Sequence, residues 1–396
     1  MFAGIPWDNT FMQTIAVIFG GRSAEHDVSV VTALSNIIKP LELTKKYSVE
    51  AVYIAKNGAW YSDEKLKDIK LYTSGKIKDF IKISQPVSVQ FDGGMSILKP
   101  SKMGRKSKKI DIAFPSMHGT YGEDGALMGL LDMAGIPYVG CGVSAAAIAM
   151  DKALAKQVAA ANDIAVSKFV TLSKAEANQE KVASKIAKDL QFPLFVKPAH
   201  LGSSIGISRV TNEVELRNGL EVAAHYDDKL IVEEAVQNLV EVTLPIIGNE
   251  TPQPALLEQP MTHAEDFFDF ETKYMQGGKK KGGGKSDAKG AQGYSKLPAD
   301  LPKALYKKAE AVGLKVYTSF GCSGIARVDM LIDQKTGEVY FNEVNPLPGG
   351  LYAHNWNKAG VSNVDLVQEL VDLAEERAAT RDVLNTTFST NYLQQF

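Results

Sequence analysis

The sequence predicts an α/β protein whose first domain holds a parallel sheet and whose remainder is α+β, three domains in all. Three observations lead there. TIAVIFGG (Thr14 to Gly21) is a continuous apolar run ending in a double glycine, the mark of a strand covered on both faces. Strand-like runs then alternate with helical ones as far as Gly140, the pattern of right-handed crossovers. From Val143 the chain changes to alanine-rich helix and short strands, which the first pattern does not continue.

Composition bounds the rest. With 396 residues, 45% of them hydrophobic, the chain can bury two or three large cores. Lys+Arg 44 against Asp+Glu 46 leaves a formal charge of -2, which argues against nucleic acid as a partner. Only two cysteines occur, Cys141 and Cys322, a poor basis for a secretory disulfide framework; two buried thiols are expected, with one disulfide as the alternative. No basic segment followed by an apolar run opens the sequence, and no stretch has transmembrane length. A soluble cytoplasmic enzyme with no membrane partner is the expectation.

Taken in order, the first domain spans residues 1–143. After the first strand, VVTALSNIIKPL has helical spacing, and VEAVYIAKNG and KIDIAFPSMHG supply further strands. Tyr61 to Lys108 reads as an irregular elaboration with turn signals at Asn57-Gly58, Gly93-Gly94 and Gly104. ALMGLLDMAG is a helix closed by Gly135, and IPYVG is short and extended. The second domain, 144–236, opens with one alanine-rich helix, SAAAIAMDKALAKQVAAAN, and continues with a helix over Ala175 to Leu190. FPLFVKPAHLGSSIGISRV, a helix around Glu213 to His225, and KLIVEEAV complete it. The third, 237–396, starts with VEVTLPIIG and contains a hairpin, then a helix from Asn363 to about Thr380.

That hairpin carries the strongest chemical signal. GIARVDMLID and VYFNEVNPLPGG flank DQKTG, a turn of the kind that joins antiparallel strands. Glu343 and Asn345 leave one face of their strand, and pairing would bring Asp329 to them with Arg327 nearby. Such an all-oxygen set suits Mg²⁺ or Mn²⁺ held with nucleotide phosphates, whereas zinc would want His or Cys. The competing reading is a charged hairpin facing solvent.

Other segments add parts. PAHLGSSIGIS supplies Gly202, Ser203, Ser204 and Gly206, whose N–H groups can cradle phosphate, although a plain hairpin turn reads equally well. Lys197 ends an apolar strand and needs an anionic partner there, and Lys152 in AMDK is a second phosphate contact or a solvated lysine. In IVEEAVQNLVEVTL, the backbone of Glu234, Ala235 and Val236 can read a base edge, and Glu241 can accept ribose hydroxyls. FGGRSAEHDVS places Glu25 beyond a strand end, where it suits an amine-bearing substrate or simply caps the next helix. SMHGTYGEDGALMG sets His118 among glycines and two carboxylates.

FFDFETKYMQGGKKKGGGK reads as a loop able to close over a water-sensitive intermediate, with Lys273 and Tyr274 at its head. Its run of Lys279, Lys280, Lys281 and Lys285 reads as a solvated basic linker. Lys279→Ala is therefore expected to change turnover by less than about two-fold, as surface substitutions usually do. Loss of turnover in that variant would contradict the linker reading.

Together FGGRSAEHDVS, MHGTYGEDGALMGLLDMAGIPYVG, AMDK, VKPAHLGSSIGIS, FDFETKY, GCSGIARVDM and FNEVNPLPGG resemble, in chain order, the D-alanine–D-alanine ligases of the ATP-grasp superfamily. The resemblance implies an ATP-grasp fold of three domains, with ATP clasped between the second and third under a mobile loop at 267–298. It implies ATP as substrate, two Mg²⁺ or Mn²⁺ ions, amino-acid substrates and a homodimer acting in peptidoglycan biosynthesis. Lys152 and Lys197 match the family's phosphate-binding lysines, Glu234 and Glu241 its adenosine contacts, and Asp329, Glu343 and Asn345 its metal ligands. Glu25 matches the acid near the first substrate's ammonium, linked to Ser203 and Tyr274, and His118 the histidine beside it. Arg327 matches the arginine near the acyl phosphate, and Gly349 is retained in the acceptor loop. The chain departs at NPLPGGLYAHNW, where the family's serine contact to the second substrate aligns with His354, next to Asn355. The alternatives implied are another acceptor (a D-amino acid, a D-hydroxy acid or a small amine) or a non-catalytic nucleotide-binding scaffold.

Overall fold

The computed structural model describes residues 12–261, 295–385 and 387–396. It begins with β1 (Gln13–Gly20), buried at every position after the first, followed by α1 (His26–Val31), a π-helical stretch (Thr32–Ile38) and α2 (Lys39–Thr44). Next come β2 (Tyr47–Ile54), β3 (Trp60–Ser62), α3 (Ile69–Thr73) and α4 (Ile77–Ile83). β4 (Ser88–Phe91), β5 (Met95–Ser101) and β6 (Gly104–Ile110) form an antiparallel sheet of their own before β7 (Ile112–Pro115). The main sheet runs β3-β2-β1-β7, with β1 parallel to both neighbours. Strand β1 therefore ends centrally, and the loop after it opens at the carboxyl edge of the sheet.

Two sequence expectations change here. The Tyr61–Lys108 stretch is not irregular but carries that three-stranded sheet. Its last strand, GRKSKKI, is exposed at most positions, so no apolar alternation betrays it. Further on, α5 (Ala126–Met133) is closed near Gly135 as expected, but the alanine-rich helix divides into α6 (Val143–Met150) and α7 (Lys152–Ala161). Asp151 breaks it: its backbone is extended, and its Oδ1 accepts the N–H groups of Ala153 and Leu154 at 3.0 Å each. A carboxylate that caps a helix competes with helix continuation through it.

The second sheet joins β8 (Phe169–Ser173), β9 (Leu194–Pro198), β10 (Ser208–Val210) and β11 (Lys229–Glu234) in the order β10-β9-β11-β8. The helix expected over Ala175–Leu190 is again two, α8 (Lys174–Ala177) and α9 (Val182–Asp189), the first fixed by a Ser173/Glu176 capping box. α10 (Glu213–Tyr226) packs on β9 and β10. After β12 (Leu239–Ile247) come β13 (Gln253–Pro254), β14 (Gln259–Pro260), β15 (Ser295–Lys296) and α11 (Lys303–Ser319). The hairpin strands β16 (Ile325–Asp333) and β17 (Glu338–Asn345) complete a sheet of order β13-β12-β16-β17. α12 (Ala353–Lys358) and α13 (Asn363–Asp382) follow.

Packing ties these layers together. Leu366, Val367, Leu370 and Val371 of α13 share one core with Ile15, Val17, Ile37 and Leu41, so the last helix covers the first sheet. Each such side chain contributes about 1.5–3 kcal/mol on burial. Ala145, Ala149, Ala155 and Ala159 of α6 and α7 share another core with Val328 and Phe341, small residues letting the helices lie close to the third sheet. Cys141 and Cys322 are both free and buried, as expected. Among the described residues, no helix is long and apolar enough to cross a membrane.

Candidate active site

β16 and β17 pair so that Asp329 lies opposite Glu343 and Arg327 opposite Asn345, with a register shift just after Asp329. Arg327 Nε donates to Asp329 Oδ1 at 2.6 Å, its Nη2 donates to Oδ2, and Asn345 Nδ2 reaches Oδ2 at 3.1 Å. The side chains of Arg327 and Asp329 are only 18% and 13% exposed, so the solvent-facing reading of the hairpin fails. Burial and the neighbouring Glu343 carboxylate push Asp329 up to about 6, against the pull of Arg327. Two carboxylates and an amide oxygen without His or Cys make a donor set that fits a hard divalent cation.

Across from the hairpin, Glu25 occupies the N-cap position of α1 yet makes no capping bond with its side chain. Its carboxylate instead accepts the Ser203 hydroxyl, joining the β1 loop to the loop after β9. Burial, with Glu123 and Glu343 nearby, raises its pKa, while Ser203 and His118 oppose the shift. Gly119 is required there: its φ is +70°, and a Cβ would stand 2.6 Å from Ser23 Oγ and 2.9 Å from Glu25 Oε2. His118 is buried, with Nε2 3.1 Å from Thr32 Oγ1 and Nδ1 3.7 Å from Glu123 Oε1. Burial opposes charging of this ring, but Glu123 and Glu25 outweigh it and raise its pKa.

The phosphate-binding candidates converge on the same space. Lys152 starts α7; its Nζ donates to Leu201 O at 2.5 Å and its N–H to Ala199 O at 3.0 Å. Burial and the Lys197 ammonium lower its pKa, although Glu343, Glu233 and Glu25 favour its charge. In the loop between, Ser203, Ser204 and Gly206 take left-handed backbone angles of φ 54°, 59° and 71°, so it is not a plain hairpin turn. Gly202 lets it approach Glu25, a Cβ here standing 3.2 Å from Glu25 Oε2.

Lys197 has the anionic partner its position demanded, and that partner was not foreseen. It is Glu233, completely enclosed, which also binds Lys156 Nζ at 2.8 Å and the Ser167 hydroxyl at 3.1 Å. The apolar run around Glu233, beside a strand lysine lacking a partner, was the available signal. Glu234, by contrast, points outward and accepts Gln191 N–H at 2.9 Å. The N–H groups of Glu234 and Ala235 already donate to Lys168 O and Pro193 O, at 2.9 and 3.0 Å. Of the three backbone N–H groups expected to read a base edge, these two are therefore already engaged within the protein. Glu241 lies on β12 opposite Leu331, on the sheet that carries Asp329.

The loop after β17 carries the residues expected on the acceptor side. Gly349 opens a 3-10 turn in which Gly350, Leu351 and Tyr352 all have positive φ, and Gly350 N–H is held by Thr32 Oγ1 at 3.0 Å. Thr32 thus contacts both His118 and this loop. The Tyr352 ring lies between Arg327, 5.0 Å from its centroid, and His354, 4.9 Å between ring centroids. His354 Nε2 meets Glu258 Oε2 at 2.9 Å. Burial favours neutral Glu258, but His354, Ser295 and Asn355 hold its pKa below the usual range.

The expectation that Asn355 contacts substrate does not fit its surroundings. Its Nδ2 donates to Leu256 O and Glu258 Oε2, at 2.9 and 3.1 Å, and its Oδ1 accepts Leu256 N–H at 3.0 Å. Both amide protons are engaged, so Asn355 fixes the 256–258 segment instead. Glu258 itself gave no sign in the sequence, because only the tertiary fold brings it to His354. Lys273 and Tyr274 lie outside the described residues.

A first sheet parallel but for its edge strand β3, the antiparallel second and third sheets, and a glycine-serine loop near an oxygen-rich hairpin are the architecture of an ATP-grasp enzyme, the class of ATP-dependent carboxylate–amine ligases. Family descriptions match nearly the whole chain: "D-ala D-ala ligase N-terminus" over residues 14–141 and "D-ala D-ala ligase C-terminus" over residues 158–372. The chain belongs to the D-alanine–D-alanine ligase family. It is 36% identical over 382 residues to the D-alanine–D-alanine ligase of Acetivibrio thermocellus, covering 92% of this chain and 96% of that protein. The Chlorobium phaeovibrioides ligase is likewise 36% identical over 386 residues, covering 92% and 97%. Among solved structures, the Coxiella burnetii D-alanine-D-alanine ligase superposes with TM-score 0.76 at 28% identity, covering 93% of this chain and 96% of that one. The VanG D-Ala:D-Ser ligase of Enterococcus faecalis gives 0.75 at 31%, covering 91% and 99%.

Proposed function

We propose that this chain joins two D-alanine molecules to D-alanyl-D-alanine with consumption of ATP. The observation that carries the reading is the meeting of Glu25, Ser203, Lys152 and Glu343, which brings an amine-binding acid, the phosphate loop and the hairpin into one space. The donor's ammonium pairs with Glu25, which leaves its carboxylate facing the γ-phosphate of ATP. Phosphoryl transfer to that carboxylate gives an acyl phosphate and ADP. The acceptor's free amine then attacks the acyl carbon and forms the C–N bond of a tetrahedral oxyanion, which collapses as the C–O bond to phosphate breaks, the departing phosphate carrying away the amine's proton. Lys152, Lys197 and the loop N–H groups supply fixed positive potential, and Arg327 stabilises the oxyanion. Asp329, Glu343 and Asn345 would hold Mg²⁺ or Mn²⁺, which when bound would offset the charge of the phosphate oxygens.

The reading carries with it a role in peptidoglycan precursor synthesis in the cytoplasm, and a homodimeric assembly. Incubation with ATP, Mg²⁺ and D-alanine, with mass detection of the dipeptide, tests it. Absence of ADP release with every amino-acid pair would overturn the ligase class.

His354 is proposed to bind the carboxylate of the second amino acid, with Glu258 fixing its ring. His354→Ser should raise KM for the second D-alanine by about ten-fold, the worth of one hydrogen bond to a charged group. KM for ATP should stay nearly unchanged. Initial rates at varied D-alanine separate the two amino-acid sites, and an unaltered acceptor KM would remove His354 from that role.

A further inference from the structure

A charged cluster lies just beside the phosphate loop, and its histidine has been given no role above. His200 is the residue that opens this loop. Its backbone N–H donates to Asp227 Oδ2 at 2.8 Å, its ring Nδ1 lies 3.0 Å from Asp227 Oδ1, and its Nε2 lies 3.4 Å from Asp151 Oδ2. Asp151 is the N-cap of α7, and its Oδ2 also takes Lys229 Nζ at 2.5 Å. Asp227 is the C-cap of α10, and its Oδ1 accepts the Lys229 N–H at 3.2 Å. Asp228 adds a third carboxylate, with an oxygen within 4.8 Å of the His200 and Asp227 ligand atoms.

A neutral imidazole has one N–H, so between two carboxylates one ring nitrogen would turn a lone pair on an anion. Both nitrogens donate only in the imidazolium. With each ring nitrogen facing a different carboxylate, His200 bridges Asp227 and Asp151 as an ion-pair clamp would.

The clamp sits where the loop needs one. Ser203 and Ser204 hold left-handed backbone at φ 54° and 59°, and such conformations in residues with a Cβ persist only when their surroundings fix them. The carbonyls on either side of His200, those of Ala199 and Leu201, are the two that hold Lys152. We propose that His200, bridging Asp151 and Asp227 as an imidazolium, is a positioning residue that fixes the base of the 201–206 loop to the start of α7 and presets the phosphate cradle made with Lys152. The proposal rests on the reading of that loop as a phosphate site, and His200 itself touches no substrate.

Hydrogen bonds donated by its ring to Asp151 and Asp227 outweigh burial and raise His200 to about 9. Because its folded pKa exceeds the ordinary 6.5, the clamp is complete at neutral pH and is lost as pH rises through about 9.

The test measures ADP–Mg²⁺ affinity by calorimetry on the full chain, with KM for ATP and D-alanine beside it. His200→Ala should weaken ADP binding and raise KM for ATP, each about ten-fold, and leave KM for D-alanine within about two-fold. Wild-type ADP affinity should fall between about pH 8 and 10, and this fall should flatten in His200→Ala. Lys152→Ala serves as the control. If it weakens ADP binding and His200→Ala does not, the clamp is overturned and the phosphate reading stands. If neither variant weakens binding, the phosphate reading falls and the clamp with it. Should His200→Ala fail to fold, Asp227→Asn keeps the volume and must move the fall in affinity to lower pH. An unmoved fall, as titration of Lys152 would give, overturns the proposal.

Discussion

Glu343→Gln should lower turnover by at least about 10²-fold while the protein stays folded. The substitution keeps the volume and the hydrogen-bonding edge of a strand residue and removes one charge. That charge is central to the site: it faces Asp329 across the hairpin, helps raise the Glu25 pKa and favours the charged form of Lys152. With Arg327 already drawing on Asp329, the loss of Glu343 leaves the oxygen set one carboxylate short of what a divalent cation beside polyphosphate needs. ADP release at saturating ATP and Mg²⁺ measures the effect, and an unchanged melting temperature separates it from misfolding. Near-normal turnover would contradict the assignment of Glu343 to the metal set.

What could be read from residues alone follows from how local each signal is. The hairpin was legible because its turn and two-residue spacing are local, and pairing then brings Asp329 opposite Glu343 without further information. Glycines around the loops were legible for the same reason, since a residue type reports a backbone need such as that at Gly119. The break at Asp151 was missed because alanine-rich flanks favour helix on both sides and only the cap bond stops it. Glu258 and Thr32 were missed because their roles exist only between segments far apart in the chain, Glu258 with His354 and Thr32 with His118 and Gly350. Between Glu233 and Glu234 the residue types are identical, and the strand's facing decides. Glu233 turns inward to Lys156 and Lys197, while Glu234 turns out to the Gln191 backbone.

That inward carboxylate predicts the largest effect on stability. Glu233→Gln should destabilise the fold by about 3–5 kcal/mol, the usual result of removing one partner from a buried ion pair. Glu233 is 2% exposed and Lys156 1%, so that ammonium has no water to turn to, while the Lys197 side chain is 12% exposed. Urea unfolding measures the loss, and Lys156→Met identifies its source. The double variant should lie closer to wild type than the sum of the singles by more than about 1 kcal/mol, because the buried ammonium is then gone too. The pH dependence has a definite sign. Burial favours the neutral acid, yet Lys156 and Lys197 hold Glu233 well below the ordinary 4.5, so its contribution is full above that pH and lost as pH falls toward the folded value. Wild type should therefore lose stability more steeply in acid than Glu233→Gln does. Nucleotide binding should weaken as well, since Lys197 loses the carboxylate that aims its ammonium. A loss of stability under about 1 kcal/mol would mean that Lys156 finds another partner, and that Glu233 is not the counter-charge this buried ammonium depends on.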